Sequence, residues 1–380
     1  MGNTFLTPTE IAAEALLSLE NAMGMAETVY QDYKAEFQKK GDTVTIRKPA
    51  SFTAIEFDGD LTGEYQDITE SSTTVVLDTI LDVSFLVGSK ELTLDIVSFR
   101  KQILDPAMQA ISQALDYKLT GLYADVANHV AYDATSEATK LANLANSMAF
   151  LNAEKAPLSP RYGMIDETTH AGLVVVPSFL NAEKSGTTET LRESSLGKLF
   201  GAQWFMNQNV RAHTWTAYGD LAGAIDFGSG STGAVVVGTT SVTIDALGSG
   251  VIKKGTVFTV AGDTTKYVVT ADVTIAGNEA TVAFYPASKV AWDENAVVTF
   301  LTQSVAENLI YHRNAFALVF RPLEPPMGGA KGVQVNWRGL PLRMTYDYNM
   351  NTKANICSID LLCGVKTLTP ELACRLIKHT

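Results

Sequence analysis

The chain has 380 residues, 46% of them hydrophobic and 18% charged, so it can fill a core and is not a disordered polymer. Its 29 Lys+Arg against 41 Asp+Glu leave a formal charge of −12, which argues against a protein whose main task is gripping nucleic acid. No run of about 18 apolar residues exists to span a membrane, and Met1 to Pro8 lack the basic start and apolar stretch of a signal peptide.

By length the chain holds two or three domains. Thr7-Pro8-Thr9-Glu10 is a capping box with proline at the first helical position. Ile11, Ala15, Leu16, Leu19 and Met23 then share one helical stripe, and Gly24 is a stop. A second helical stretch is predicted from Met25 to Lys39. The two form an amphipathic arm with little core of its own. From Gly41 the period changes to two. Thr43–Arg47 and Thr73–Phe85 alternate, which predicts a long two-stranded arm with a loose tip. That arm is one-sided in charge. Glu56, Asp58, Asp60, Glu64, Asp67 and Glu70 fall in a stretch, Ala50 to Gly88, that has no Lys or Arg. It reads either as a solvated acidic loop or as an arm that pairs with a basic surface on another subunit.

Leu104, Met108, Ile111, Leu115, Leu119, Leu122 and Val126 step along one stripe, which predicts a long helix from Pro106 to Asn128 with a kink or start at Pro106. Thr135 to Glu154 is a further helix. Arg161–Ile165 is a strand feeding Asp166 as a helix N-cap, and Ala202–Met206 is another strand, so this stretch has an α+β pattern. Residues 222–303 then hold ten of the 28 glycines and no amphipathic helix. Six short strand candidates recur there: Ala234–Val237, Ser241–Ile244, Thr256–Val260, Tyr267–Thr270, Thr281–Phe284 and Ala296–Phe300. They predict a small β-barrel or sandwich inserted mid-chain. Val333–Trp337, Leu342–Tyr348 and Ala354–Cys363 return to long antiparallel strands. Thr369-Pro370-Glu371 caps a last short helix.

No enzymatic constellation emerges. Gly328-Gly329-Ala330-Lys331-Gly332 lacks P-loop spacing, and Ser98-x-x-Lys101 and Ser195-x-x-Lys198 show how cheap that pattern is. The five histidines are scattered away from metal-ligand spacing. Cys357, Cys363 and Cys374 read as reduced, buried thiols of a cytosolic protein. No cofactor is expected.

The order of parts resembles the major capsid (coat) proteins of tailed double-stranded DNA bacteriophages, in particular the short-tailed-phage subgroup with an inserted β-domain. The residues that carry the resemblance are Gly41–Pro49, Gly197–Ala202, Asn308–Ala317 and Arg343–Asn349 through Ile359–Lys366. It implies an α+β, Hong Kong ninety-seven-type capsid fold. Its parts would be an N-terminal arm (1–40), an extended loop (41–90), a spine helix with peripheral domain (91–130), an axial domain (131–221, returning at 304–340), the inserted all-β domain (222–303), and peripheral strands with a C-terminal helix (341–380). The function implied is self-assembly into an icosahedral shell around DNA, in the virion after assembly in the host cytoplasm. The implied partners are other copies in hexamers and pentamers, a scaffolding protein, a portal protein and a decoration protein. Arg47, Lys48, Lys90, Arg100 and Lys101 flank the base of the acidic arm and are its candidate partners on the adjacent subunit. There is no lysine from 50 to 89, so a lysine weld from the arm tip is not expected. No charged helical extension precedes residue 41, so a separate scaffold is. The alternatives are an encapsulin-like bacterial compartment and a β-rich surface or carbohydrate-binding protein.

Overall fold

The computed structural model describes residues 24–31, 43–48, 54, 56, 71–88, 105–181, 189–213, 222–226, 234–301, 304–324, 326, 331–337, 340–351 and 354–379. The helix predicted from Thr7 lies outside them, and only its stop, Gly24, is described.

Where a long second helix is expected, Met25–Glu27 makes one 3-10 turn, and Tyr30 then donates its backbone N–H to the Phe316 carbonyl. β1 (Thr43–Lys48) pairs antiparallel with β2 (Ser71–Val76). The stretch expected as one strand is divided after Asp78, and β3 (Thr79–Gly88) joins a different sheet. α1 spans Asp105–Thr120, about 24 Å at 1.5 Å per residue, and is followed by a 3-10 turn at Gly121–Asp125 rather than by further α-helix to Asn128. The early stop has a cause. The Tyr117 carbonyl accepts from the Thr120 hydroxyl at 3.1 Å and from Arg211 Nε at 3.0 Å, so side chains take the place of the continuing helix. The stripe is nonetheless buried, with Met108, Ile111, Leu115 and Leu119 almost wholly inaccessible.

β4 (His129–Tyr132) leads to α2 (Glu137–Ala153), whose capping box joins Ser136 and Thr139. β5 (Arg161–Ile165) feeds Asp166, which caps α3 (Glu167–Val174) by accepting from the Thr168 and Thr169 amides. α4 (Pro177–Leu180) and α5 (Glu189–Glu193) are short, and β6 (Lys198–Leu199) and β7 (Ala202–Met206) form a tight pair. Next come β8 (Ala222–Asp226), β9 (Ala234–Val235), β10 (Ser241–Asp245), β11 (Val251–Ile252), β12 (Val257–Val260), β13 (Tyr267–Val269), β14 (Val273–Thr274), β15 (Ala280–Tyr285), β16 (Trp292–Asp293) and β17 (Val297–Phe300). The chain closes with β18 (Ser304–His312), β19 (Phe316–Arg321), β20 (Lys331–Trp337), β21 (Leu340–Asn349), β22 (Ala354–Thr367) and β23 (Ala373–His379). The last helix expected at Thr369 is a single 3-10 turn, Pro370–Leu372, and β23 follows it.

By contacts the described residues fall into two units, one within Gln31–Ser112 and Ala317–Leu368, the other within Met23–Tyr30, Gln113–Phe316 and Thr369–Thr380. In the first unit a five-stranded sheet runs β19-β22-β21-β20, with β3 along β22, and β20, β21, β22 and β3 pair antiparallel. Its register sets Leu86 opposite Ile356 and Asp82 opposite Asp360. Period-two alternation puts Leu342, Met344, Cys357, Ile359, Leu361 and Cys363 on the buried face.

In the second unit a six-stranded mixed sheet runs β4-β23-β18-β5-β7-β6, and α2 packs on it through Leu144, Met148 and Leu151. Six further strands close into a barrel, β10-β15-β13-β12-β17-β8. Closure removes the unpaired edges that strands this short would otherwise leave open. The stretch Ala234–Val237 is not a stave: β9 pairs with β16 outside the barrel, and β8 takes the remaining place. Phe258, Tyr267, Phe284, Trp292 and Phe300 fill the interior, with Tyr267 edge-on to Trp292 at 5.0 Å between ring centres. The Asp263 carboxylate accepts from Tyr267 Oη at 2.6 Å and Trp292 Nε1 at 3.0 Å, so the polar tips of both rings are satisfied.

Candidate assembly surfaces

Of the residues that sequence reasoning singles out, Arg47 and Lys48 lie on β1, opposite Ser72 and Ser71. Glu56 is exposed and outside regular structure. Asp58, Asp60, Glu64, Asp67, Glu70, Lys90, Arg100 and Lys101 lie outside the described residues. Of the two sets, the described residues thus include only Glu56, Arg47 and Lys48.

The outer face of the first unit's sheet carries two kinds of surface. A polar ladder crosses three strands. Arg343 on β21 grips Asp360 on β22 through Nε at 2.9 Å and Nη2 at 2.5 Å, and these hydrogen bonds raise the guanidinium pKa. One step along the strands, Ser358 donates to Asp82 of β3 at 2.5 Å, and Ser84 donates to the other oxygen at 2.8 Å. Beside the ladder, Ile80, Leu86 and Ile356 stand exposed on the same face, and Tyr348 and Met350 are exposed at the β21–β22 turn. β3 is ten residues long and has no proline and no lysine.

In the second unit the segment from Gly24 to Tyr30 is stitched in place. Asp116 of α1, almost fully buried, accepts from the amides of Gly24 and Ala26, each at 3.2 Å, and from Asn207 Nδ2 at 3.3 Å. Burial raises the Asp116 pKa against the pull of those donors. A Cβ on residue 24 would sit 2.7 Å from Asp116 Oδ2, so the close approach requires glycine. The Thr28 hydroxyl is hydrogen-bonded to the buried Tyr311 hydroxyl at 2.5 Å.

The barrel meets the sheet at a polar junction that sequence reasoning missed. Arg375, at the middle of β23, and Glu307, on β18, are both 1% exposed and 2.7 Å apart. Arg375 Nη1 also donates to the carbonyl of Gly255, just before β12, at 2.7 Å, and its guanidinium lies 5.0 Å from the Tyr123 ring centre. His213 bridges Tyr123 Oη at 2.9 Å and Thr256 Oγ1 at 3.1 Å, and burial, reinforced by Arg375, drives its pKa down to about 4. Lys266 donates to the His129 carbonyl and lies 4.4 Å from the Phe150 ring centre; burial lowers its pKa. Beside it a shallow groove of about 480 Å³ is lined by Val130, Ala131, Asn146, Ala149, Phe150 and Ala153. On the barrel's own surface Val236, Val237 and Val290 are exposed.

Among the described residues no group of three or more His, Cys, Asp or Glu is placed to hold a metal ion, and no helix is long and apolar enough to cross a membrane. The three cysteines are buried thiols outside any disulfide, and burial pushes Cys374 up to about 12.

No family model and no curated protein matches the sequence. Solved structures do match. One from Mycobacterium phage Che8 covers 93% of this chain and 90% of its own, at 12% identity and a TM-score of 0.50. A capsid structure of cyanophage P-SCSP1u covers 90% and 84%, at 12% identity and a TM-score of 0.49. The asymmetric unit of the bacteriophage PhiM1 mature capsid covers 93% and 88%, at 9% identity and a TM-score of 0.47. The chain shares its fold with the Che8 structure, and at that identity the likeness is one of fold.

Proposed function

We propose that this chain is the major capsid protein of a tailed bacteriophage, a structural and non-enzymatic subunit that assembles into an icosahedral shell enclosing double-stranded DNA. The observation that carries the reading is the near whole-chain likeness of fold to the Mycobacterium phage Che8 structure. A fold alone does not fix a function. The surfaces add to it: the acidic stretch around Glu56 and the exposed apolar residues of β3, β21 and β22 are features that neighbours in a shell would cover. A closed shell repeats such heterologous contacts many times, so contacts that are individually weak suffice.

Within this reading the barrel is an inserted domain, as in the short-tailed-phage coat subgroup. Its first and last staves, β8 and β17, are hydrogen-bonded neighbours, with Ala222 opposite Thr299, so the chain enters and leaves side by side. The acidic arm pairs with Arg47, Lys48, Lys90, Arg100 and Lys101 of an adjacent subunit, and scaffolding, portal and decoration proteins are the further partners. The test is electron microscopy of the purified chain, expressed alone and together with a candidate phage scaffolding protein. Closed particles of icosahedral symmetry are expected. A monodisperse monomer under every condition overturns the reading, and particles that enclose enzymes rather than DNA redirect it to a bacterial compartment.

A further inference from the structure

We propose that Arg375 is the positioning residue that fixes the orientation of the barrel on the sheet beneath it, making the barrel a rigid projection. The inference concerns the second unit alone and does not depend on the shell reading.

The apolar part of the junction is small. Ala127 packs with Val257 and Val268, and Tyr285 and Leu301 lie against them. Apolar contact is non-directional, so such a patch resists separation better than rotation. The covalent connection adds little, because the chain enters and leaves on two adjacent strands. Arg375 supplies what the patch lacks. Its planar fork has five donors in fixed directions, and in a site 1% exposed each must find an acceptor. Glu307 of the sheet takes Nε at 2.7 Å, Gly255 of the barrel takes Nη1 at 2.7 Å, and the Val126 carbonyl lies 3.5 Å from the same nitrogen. Any rotation of the barrel would pull the Gly255 carbonyl off a buried cation, which is costly.

Two further observations support the assignment. Gly255 has φ +89°, and a Cβ there would lie 2.8 Å from that of Ala124, so the backbone is brought as close as a glycine allows. A buried ion pair adds little net stability over apolar packing, so its use here is to select one arrangement. The other directional contacts across the junction are single hydrogen bonds, His213 Nε2 with Thr256 Oγ1 at 3.1 Å, Lys266 to the His129 carbonyl and Tyr285 to Glu371, and each leaves a rotation about its own axis open, while Lys254 pairs with Asp125 at 2.7 Å with the lysine side chain 47% exposed, and an exposed pair is worth at most about 1 kcal/mol.

The test uses the full chain with spin labels at Ser241→Cys on the barrel and Ala145→Cys on α2, both exposed positions; the native cysteines are buried. Pulsed electron resonance on the otherwise unchanged chain is expected to give one narrow distance distribution. Arg375→Met with Glu307→Leu removes both charges without leaving either unpaired. That variant is expected to melt cooperatively, to keep the buried Trp292 fluorescence of the barrel, and to lose the narrow distribution. Arg375→Lys keeps the charge beside Glu307 but lacks the fork, and the same broadening is expected. An unchanged width in either folded variant overturns the proposal, because other contacts would then hold the barrel. Failure of the double variant to fold overturns it too, because Arg375 would then be a stability residue of the sheet.

Discussion

Asp116 and His213 are both buried, yet they tie stability to pH in opposite directions. The Asp116 pKa is raised in the folded chain, so its stabilising contribution is complete below the ordinary value of 3.8 and is lost as pH rises through the raised one. At neutral pH the carboxylate is kept for its geometry, because only an acceptor can serve the amides of Gly24 and Ala26 together with Asn207. Asp116→Asn points an N–H₂ where an acceptor is needed. It is expected to cost about 1–3 kcal/mol, seen as a lowered Tm and as faster amide exchange at Ala26 than in the barrel. His213 is held neutral, with its pKa lowered from 6.5 to about 4. Its contribution is complete above pH 6.5 and is lost as pH falls from there toward the folded value, at about 1.4 kcal/mol per pH unit. The groups facing it are Tyr123, Thr256, Arg375, Glu307 and Asp272. His213→Gln, uncharged at every pH, is expected to flatten the unfolding free energy across that window in denaturant titrations; an unaltered slope would assign the acid sensitivity elsewhere.

Strand packing makes some glycines indispensable and leaves others free. On β5 a Cβ at Gly163 would lie 2.5 Å from the ring of Trp204, which is itself buried and donates Nε1 to Leu199 at 3.1 Å. Gly163→Ala is expected to destabilise by about 2–3 kcal/mol and to shift tryptophan fluorescence. On α3 a Cβ at Gly172 meets nothing nearer than 3.9 Å, so Gly172→Ala is expected to stabilise by about 0.5–1 kcal/mol through helix propensity. These elements also show what the chain makes legible. Five of the six barrel staves, the α2 capping box and the Asp166 cap are local patterns of alternation and capping, and they stand where the pattern places them. β23 is not legible in the sequence because Ala373-Cys374-Arg375-Leu376-Ile377 is buried throughout and interrupted by a charge, which hides the period. The split of Thr73–Phe85 between two sheets depends on β22, nearly 300 residues later in the chain, and no local window contains that partner. The same applies to the junction. Arg375 finds Glu307 and Gly255 across 68 and 120 positions, whereas the acidic stretch is visible as plain composition.

Across the whole molecule, the shell reading separates what stabilises a subunit from what joins subunits. Reversing Glu56, Asp58, Asp60 and Glu64 to Lys is expected to reduce particle yield in sedimentation while leaving the monomer Tm nearly unchanged, because Glu56 is exposed and surface charges contribute little to folding. Normal particles from that variant would remove the acidic arm from the assembly contacts. The barrel tests the other half of the separation. It has its own aromatic core, it is closed, and Ala222 and Thr299 lie on neighbouring strands about 4.8 Å apart, a gap that a short Gly-Ser linker spans. Replacing residues 222–303 by such a linker leaves the Arg375–Glu307 pair in place but deprives Arg375 of the Gly255 carbonyl and His213 of Thr256. The remaining sheet with α2 keeps its own core and is expected to unfold cooperatively, at a cost of about 1–3 kcal/mol for the acceptors lost. Calorimetry decides: one sharp transition at lowered Tm supports an inserted module on a self-sufficient base, while a broad, non-cooperative melt would mean that the barrel and the sheet fold only together.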